Sequence, residues 1–320
     1  MKREQGPIHK KFIISTMLAL VLIGMVALVP KKKNQATAIS LGKQLFFDPI
    51  LSADSSVSCA SCHKPQFYYA DTVAFSKGVY GKLTRRNTPS VLNMANRGLM
   101  FWDGRAATLS DQVLFPIQDH DEMNLPVATA IARLKRSKTY RQLFRQVFSS
   151  EPDENGLSKA IAAFEASLET SHSKFDLYMR DQGLLTADEK AGQKIFVGKA
   201  RCFDCHFTPD FTSDEFKNIG LYNGKELSDP GRFAITHDSA DLGKFKIPGL
   251  RNVEKTAPYM HDGRFKTLRQ VIDYYNDPKS FVQDAIGTDS TLSKPLRLTE
   301  KEKMQLEAFL LTLTDQSKLP

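Results

Sequence analysis

Two short cysteine motifs constrain this chain more than any other feature of its sequence. Each motif has two cysteines separated by two residues and followed directly by a histidine, and the two motifs use all four cysteines of the 320 residues. They consist of Cys59, Cys62 and His63, and of Cys202, Cys205 and His206. The C-x-x-C-H pattern is the signature of covalent c-type haem attachment, in which the histidine ligates the iron. The sequence therefore predicts two covalently bound haems.

Three other uses of paired cysteines fit this chain less well. A zinc ribbon expects its two pairs within a few tens of residues of each other, whereas these pairs are far apart. Disulfides across two-residue gaps are strained and leave both histidines unexplained. A thioredoxin-like redox pair expects a βαβ context, which neither flank offers. Haem attachment remains the favoured interpretation.

The two halves of the chain repeat the same order of signals. In each half a G-[KQ]-[QK]-[LI]-F segment with helical spacing precedes the haem motif, and an R-N turn, a D-G-R turn and a Thr-Leu helix start follow it. Such an internal repeat predicts two similar units. Alternating strand patterns are scarce, so the fold class is mainly α, with long loops and little strand. The predicted domains are an N-terminal haem domain over 39–180 and a C-terminal haem domain over 181–298, with a final helix in 299–320 packing back on them.

Several helices are predicted from apolar spacing and capping residues. They are Ile39–Phe47, a helix capped by Thr186, two longer segments over Pro126–Phe148 and Leu157–Met179, and a final helix capped by Thr299.

The N-terminus reads as an export signal or membrane anchor over residues 1–33. Phe12–Val29 carries no charge and is flanked by lysines on both sides. An uncleaved anchor is slightly favoured, because no small-x-small cleavage site adjoins the apolar run. Residues 1–33 contain seven basic residues and one acidic residue, Glu4, so they account for most of the net charge of +8. The rest of the chain is near neutral, and its charge gives no support for a nucleic-acid partner. Since covalent haem attachment in bacteria occurs outside the cytoplasmic membrane, we expect a periplasmic protein, either anchored or released.

With these motifs in hand, the chain resembles the bacterial dihaem cytochrome c peroxidase and MauG family from about Leu41 to Leu313. The resemblance rests on SCASCH, RNTPS, FWDGRAATLSDQ, DEM, CFDCH, IPGLRN and APYMHDGRFKTLRQ, each in the family's order. It implies two cytochrome-like domains with a calcium ion at their junction. It also implies that the N-terminal haem reacts with hydrogen peroxide and the C-terminal haem passes electrons.

The resemblance assigns catalytic roles to four residues. Glu122 matches the family's acid/base and Trp102 matches a relay between the haems, while Gln112 and Pro116 face the first haem. From the residues alone, Glu122 reads as part of a solvated acidic loop and Trp102 as ordinary packing. His120 is the alternative base.

The resemblance also supplies binding residues around the haems. Arg105 is assigned to haem binding. The duplication places His261 at the point of the second half that is equivalent to Trp102, where we expect a structural or propionate-binding role. Calcium is assigned to the side chain of Asn87 and to the backbone oxygens of Thr256 and Pro258, which are hard ligands suited to that ion.

Two positions depart from the pattern of many family peroxidases. Val79 stands where these enzymes carry a histidine that caps the first haem, and valine cannot ligate iron. We therefore expect a first haem that is open at rest, unless Tyr80 or His120 blocks it. Tyr275 stands where a methionine ligates the second haem, and phenolate is a hard donor that favours ferric iron. The alternative is that Tyr275 only packs and that Met260, or no side chain, is the ligand.

Three functions follow from these observations. The first is a peroxidase that reduces hydrogen peroxide with electrons from a small donor cytochrome or cupredoxin. The second is a MauG-like enzyme that uses peroxide to oxidise side chains of a partner protein. That reading is favoured by Val79 and Tyr275 but disfavoured by Ala200, which replaces the surface tryptophan that MauG uses. The third is a non-enzymatic dihaem electron carrier. Homodimer formation is left open.

Overall fold

The computed structural model describes residues 36–317, which fold mainly as helices. The predicted export segment over 1–33 lies outside the described residues. In chain order the helices are α1 (Ala38–Phe47), α2 (Cys59–Cys62), α3 (Leu109–Gln118), α4 (Val127–Arg136), α5 (Lys138–Phe148), α6 (Glu154–Ala166), α7 (Lys174–Met179), α8 (Ala187–Val197), α9 (Phe233–Thr236), α10 (Leu268–Asn276), α11 (Pro278–Phe281) and α12 (Glu300–Leu311). Short 3₁₀ turns and long loops connect them. The predicted mainly-α class is confirmed.

The core of the first half forms where α1 crosses α6. Gly42 in α1 allows this approach, because a Cβ atom there would lie only 1.8 Å from the carbonyl oxygen of Ala160. On the same face Leu41, Leu45 and Phe46 are buried in the apolar cluster of this half. Burial of such side chains is the main favourable contribution to folding.

The second half repeats this arrangement with α8 and α12. A Cβ atom on Gly192 would lie 1.9 Å from the carbonyl oxygen of Gln305, and Phe196 packs on Phe309 with 5.2 Å between ring centroids. The helix predicted after Thr299 is thus the counterpart of α6, and it closes the core of the second half. Its cap is formed as predicted, with Glu302 and Thr299 bonded reciprocally.

The two D-G-R turns also adopt the same backbone form. Isolated antiparallel bridges join Met100 to Ala106 in the first half and Tyr259 to Phe265 in the second. The helices after these turns, α3 and α10, are capped by Thr108 and Thr267, each of which accepts a hydrogen bond from the backbone N–H three residues on. The repeated sequence signals therefore correspond to repeated local structure.

Both long predicted helices are interrupted in the structure. The segment over Pro126–Phe148 breaks at Ser137, whose extended backbone ends α4 and whose hydroxyl caps α5 by accepting from Tyr140 N. The segment over Leu157–Met179 ends at Ala166 and resumes at Lys174. Between them the chain bonds to distant partners, and the Asp315 carboxylate accepts from the backbone N–H groups of residues 171 and 172. The helical spacing of apolar residues continues across both breaks, so the sequence pattern does not reveal them.

Strand structure is limited to one antiparallel pair within the described residues. It joins β1 (Phe216–Lys217) to β2 (Phe245–Lys246). Between residues 36 and 317, no helix combines the length and apolar character needed to cross a bilayer.

Candidate haem sites and peroxide-reacting centre

Both histidines of the cysteine motifs are oriented by backbone carbonyl groups. The Nδ1 atom of His63 lies 3.1 Å from the carbonyl oxygen of Tyr69, and that of His206 lies 2.9 Å from the carbonyl oxygen of Phe211. A hydrogen bond at Nδ1 fixes the ring and leaves Nε2 for a metal. Burial lowers the pKa of His63, and it lowers the pKa of His206 to about 4. Both imidazoles are therefore neutral, the form that ligates haem iron.

The four cysteines form no disulfide with one another, and their surroundings do not activate them. Burial raises the pKa of Cys62 to about 11 and that of Cys202 to about 12. A redox-active cysteine needs the opposite shift, towards thiolate at neutral pH. The two pairs also lie in separate apolar clusters, and residues 36–317 hold no cluster of three or more His, Cys, Asp or Glu side chains suited to a metal ion. The arrangement thus fits tethering better than disulfide, zinc or redox chemistry.

A large, mainly apolar cavity opens beside the second motif, and we call it the second cavity after that motif. His206 and Cys205 border it, and so do Trp102, Tyr275 and Met260. Tyr274 does not border it, because its side chain is fully buried and its hydroxyl donates to the carbonyl oxygen of Ile219 at 2.5 Å. Of the two adjacent tyrosines, only Tyr275 is therefore placed to reach a group bound at His206. Met260 borders the same cavity, so the alternative ligand stays available.

Charged residues that the sequence analysis did not single out surround this cavity. The cationic ones are Arg97, Arg201, Lys217, Lys246 and Arg251. Asp210, Asp214 and Asp289 border the same cavity and pair with four of these cations, so the border is mixed in charge. Arg201 is the border cation without a pair to these three aspartates. The sequence offers a signal for one of these cations, because Arg251 belongs to the second R-N turn. Arg251 pairs with Asp176 at 2.8 Å and with Asp210 at 2.9 Å.

Residues assigned to peroxide chemistry lie on α3 and the loop that follows it. The backbone N–H of Met123 donates to the carbonyl oxygen of Pro116 at 3.1 Å, which fixes the adjacent Glu122 against the helix. Gln112 is half-buried one turn before Pro116, and its carbonyl lacks the usual helical donor because proline has no N–H. Burial raises the pKa of Glu122 to about 7; Asp119 raises it further and Arg105 opposes the rise. Such a carboxyl group can both accept and return a proton near neutral pH.

The loop over 76–83 packs directly on Glu122. Val79 donates its backbone N–H to the Glu122 carbonyl oxygen at 2.8 Å, and the Val79 side chain is fully buried. Tyr80 points outward and is 64 % exposed. The His120 side chain is 69 % exposed and contacts Lys82 and Asp121. Tyr80 and His120 thus both face solvent, whereas Glu122 is the more buried of the two candidate bases.

Trp102 is held where the two halves of the chain meet. Its indole Nε1–H donates to the carbonyl oxygen of Asn87 at 2.8 Å, and its own carbonyl accepts from Lys246 N at 2.8 Å. Asn87 in turn donates its backbone N–H to the carbonyl oxygen of His261 at 2.7 Å. Trp102 thus sits on the border of the second cavity, in contact with elements of both halves.

The residues assigned to calcium border the same cavity as Trp102. Asn87, Thr256 and Pro258 all line it. The Asn87 amide nitrogen donates to the carbonyl oxygens of Val73 and Ala74, and within residues 36–317 its amide oxygen receives no hydrogen bond. Amide and carbonyl oxygens are ligands that a hard cation prefers.

Arg105 and His261 occupy equivalent regions of the two halves but have different partners. Arg105 pairs with Asp103 at 2.9 Å, and its guanidinium lies 3.6 Å from the Phe101 ring centroid. His261 is buried and stacks on Phe245 with 3.7 Å between centroids. Burial lowers the pKa of His261 to about 4, so it is neutral and can serve a haem propionate only as a hydrogen-bond donor.

Arg86 joins the two halves, a role that the sequence of its R-N-T-P turn does not predict. It pairs with Asp103 at 2.6 Å and with Asp229 at 2.7 Å. Arg86 and Arg251 occupy the same position of the repeated R-N turn and both bridge two aspartates. The duplication was the signal that would have identified them.

Fold and site together define a two-haem c-type cytochrome with one candidate peroxide-reacting centre. Comparisons with known proteins then identify the family. A model of the di-haem cytochrome c peroxidases matches residues 36–183. The chain is 39% identical over 278 residues to the methylamine utilization protein MauG of Methylorubrum extorquens, covering 86% of this chain and 77% of that protein. It is 35% identical over 301 residues to the cytochrome c551 peroxidase of Nitrosomonas europaea, covering 92% and 85% of the two chains.

A solved structure agrees with these relatives. The crystal structure of a MauG-like protein associated with microbial copper homeostasis superposes with a TM-score of 0.79 at 34% sequence identity, covering 88% of this chain and 90% of the other. The chain belongs to the di-haem cytochrome c peroxidase family, and it is an oxidoreductase that acts on peroxide. Membership of this family implies two c-type haems.

Proposed function

We propose that this protein reduces hydrogen peroxide at the haem tethered by Cys59 and Cys62, using electrons that arrive through the haem tethered by Cys202 and Cys205. Each turnover consumes one peroxide, two electrons and two protons and yields two waters. The bound haems supply the redox chemistry. The observation that carries the proposal is Glu122, a half-buried carboxyl group with a raised pKa, fixed beside α3 on the first-haem side of the chain.

Glu122 moves the proton that peroxide cleavage requires. It accepts a proton from one peroxide oxygen and returns it to the other, which lets the second oxygen leave as water. The half-buried Gln112 orients the bound peroxide. Val79 leaves the site without a competing ligand, so the substrate can enter at rest.

Electrons pass between the halves by way of Trp102. Its ring borders the second cavity together with Tyr275, and its indole N–H is bonded to the first half through Asn87. A calcium ion held by Asn87, Thr256 and Pro258 would link the first half of the chain to the second beside Trp102.

Steady-state kinetics test this function. The holoprotein should oxidise a reduced small cytochrome in proportion to added peroxide, and replacement of Glu122 by glutamine should slow the reaction while both haems stay attached. If the donor stays reduced while peroxide is consumed, a donor-dependent peroxidase is ruled out.

One observation favours a second candidate, the MauG-like oxidation of a partner protein. Tyr275 borders the second cavity and Tyr274 does not, which supports a phenolate-ligated second haem. Such a haem is a poor electron store but can hold part of an oxidising equivalent.

Two matched tyrosine variants test this second candidate. A Tyr275→Phe variant should change the spectrum of the second haem, while Tyr274→Phe should leave it unchanged and lower only stability. An unaltered spectrum in Tyr275→Phe would exclude the tyrosine ligand and this candidate with it.

We further propose the setting of this chemistry. The haem units span 39–180 and 181–298, and the helix within 299–320 packs back on them. The protein works in the periplasm, and the electron donor is a small cytochrome or cupredoxin. The N-terminal segment either anchors the protein or is removed on export.

A further inference from the structure

Two consecutive helices that contain neither haem motif carry an unusual excess of positive charge. Residues 126–150, which include α4 and α5, contain six arginines or lysines and no aspartate or glutamate. The whole chain carries +8, of which residues 1–33 account for +6. Residues 34–320 therefore carry a net charge of +2. Because residues 126–150 alone carry +6, the rest of residues 34–320 has a net negative charge.

Most of these cations face solvent without an acidic partner. Arg133 is the exception that faces inward, because its guanidinium donates to the carbonyl oxygens of Ser52 and Ala53 at 2.6 and 2.8 Å. The remaining cations are exposed and form what we call the basic surface: Lys135, Arg136, Lys138, Arg141 and Arg145. Within residues 36–317 only Arg145 of these has a carboxylate partner, Glu151.

The basic surface lacks the apolar contacts on which protein interfaces depend. No large exposed hydrophobic side chain occurs between Phe115 and Met179. Protein interfaces usually bury aromatic or aliphatic anchors at their centre. Attraction to an anionic bilayer needs only clustered lysine and arginine beside the headgroups.

The sequence supplies an independent reason to expect a bilayer nearby. The apolar run Phe12–Val29 and the lysines after it end shortly before α1 begins at Ala38. From these two observations we propose that the basic surface binds the headgroups of anionic lipids, so that the enzyme lies against the membrane with its α4–α5 face. This inference does not rest on the proposed peroxidase function.

Quenching of a fluorophore by labelled lipid headgroups tests the proposal. The probe is attached through Gln142→Cys on the exposed face of α5 in the full-length holoprotein, reconstituted into vesicles of phosphatidylcholine with or without phosphatidylglycerol. We expect severalfold stronger quenching in the phosphatidylglycerol vesicles, and we expect about 0.5 M NaCl to remove the difference, since salt screens such attraction.

Two charge-removal variants provide the comparison. Replacing Lys135, Arg136, Lys138 and Arg141 by glutamine should reduce quenching to the level seen with phosphatidylcholine alone. The same replacement at Lys266, Lys279, Lys294 and Arg297 removes as many exposed charges from the second half and should leave quenching unchanged. Equal quenching in both lipids, or its survival after the first replacement, would overturn the proposal.

A turnover assay in detergent distinguishes binding of lipid by the basic surface from binding of an acidic protein partner. Without a bilayer, the first replacement should not change peroxide turnover with a reduced donor cytochrome. A severalfold fall there would show that the basic surface binds the donor instead, and the lipid proposal would be wrong.

Discussion

At the residue scale, burial gives the Glu122 carboxyl group the pKa that the proposed mechanism requires. The carboxyl group is held beside α3 by the backbone bonds of Val79 and Met123, and its burial raises its pKa to about 7. A base with this pKa is half ionised near neutral pH, which suits a group that must take up and return the same proton.

The rate of the peroxide reaction should therefore depend on pH through this residue. Because only ionised Glu122 can accept a proton, the second-order rate constant should rise as pH increases through about 7 and then level off. Glu122→Gln should lower the constant by about 10²- to 10⁴-fold and remove the dependence. Stopped-flow mixing with peroxide measures both effects. A wild-type profile that stays flat between pH 5 and 9 would contradict the assignment.

Glu165 is a second buried carboxyl group, and the proposed mechanism does not use it. It lies at the end of α6 with its Oε2 atom buried and without a partner among residues 36–317. Burial raises the pKa of Glu165 to about 8. The side chain is therefore neutral in the folded protein at neutral pH, whereas in the unfolded chain it ionises above its ordinary value of 4.5.

The free energy of unfolding should thus fall as pH rises from about 4.5 to about 8. Within this window Glu165 removes up to about 1.4 kcal/mol per pH unit, because only the unfolded chain releases its proton. Glu165→Gln should flatten this part of the profile, while Glu154→Gln at the exposed start of the same helix should not. Denaturant titration of the holoproteins at a series of pH values measures the difference. Identical profiles for wild type and Glu165→Gln would show that the carboxyl group is ionised in both states.

At the scale of elements, the loop over 76–83 determines where Glu122 sits. A Cβ atom on Gly78 would lie 2.1 Å from the carbonyl oxygen of Asp121 and 2.5 Å from that of Glu122. Only glycine permits this approach of the two backbones.

Gly78→Ala should therefore displace Glu122 and slow the peroxide reaction. A shift of about 1 Å in a catalytic group can lower a rate about 100-fold, and haem attachment should be unaffected. Gly98→Ala is the control, because a Cβ atom there meets nothing within 4 Å. The rate constant for the reaction with peroxide and the haem absorbance are measured for each variant. Equal rate constants for Gly78→Ala and Gly98→Ala would contradict the role of Gly78 in positioning Glu122.

The elements also show what the sequence can and cannot predict. The capped helices α1, α8 and α12 and the paired D-G-R turns follow from local signals, and the duplication predicts that Gly42 and Gly192 have equivalent roles. The breaks at Ser137 and after Ala166 depend on distant partners such as Asp315, which local spacing cannot reveal. For the same reason the cations around the second cavity were missed: Arg97 and Lys246 are far apart in sequence and meet only in the folded chain.

At the scale of the whole molecule, the proposed function gives the two similar halves different tasks. Both present a neutral histidine fixed through Nδ1. Glu122 and the buried Val79 lie in the first half, whereas Tyr275 borders the apolar cavity beside the second motif. Arg86 and Trp102 join the halves, which suits transfer of electrons between two unequal haems.

The most direct test of this account is to mix the oxidised, as-isolated holoprotein with hydrogen peroxide and record its absorption spectrum. Because Val79 replaces a capping histidine, the account predicts one high-spin and one low-spin haem at rest and a reaction within the mixing experiment without prior reduction. A protein with two low-spin haems that ignores peroxide until one haem is reduced would contradict the central claim.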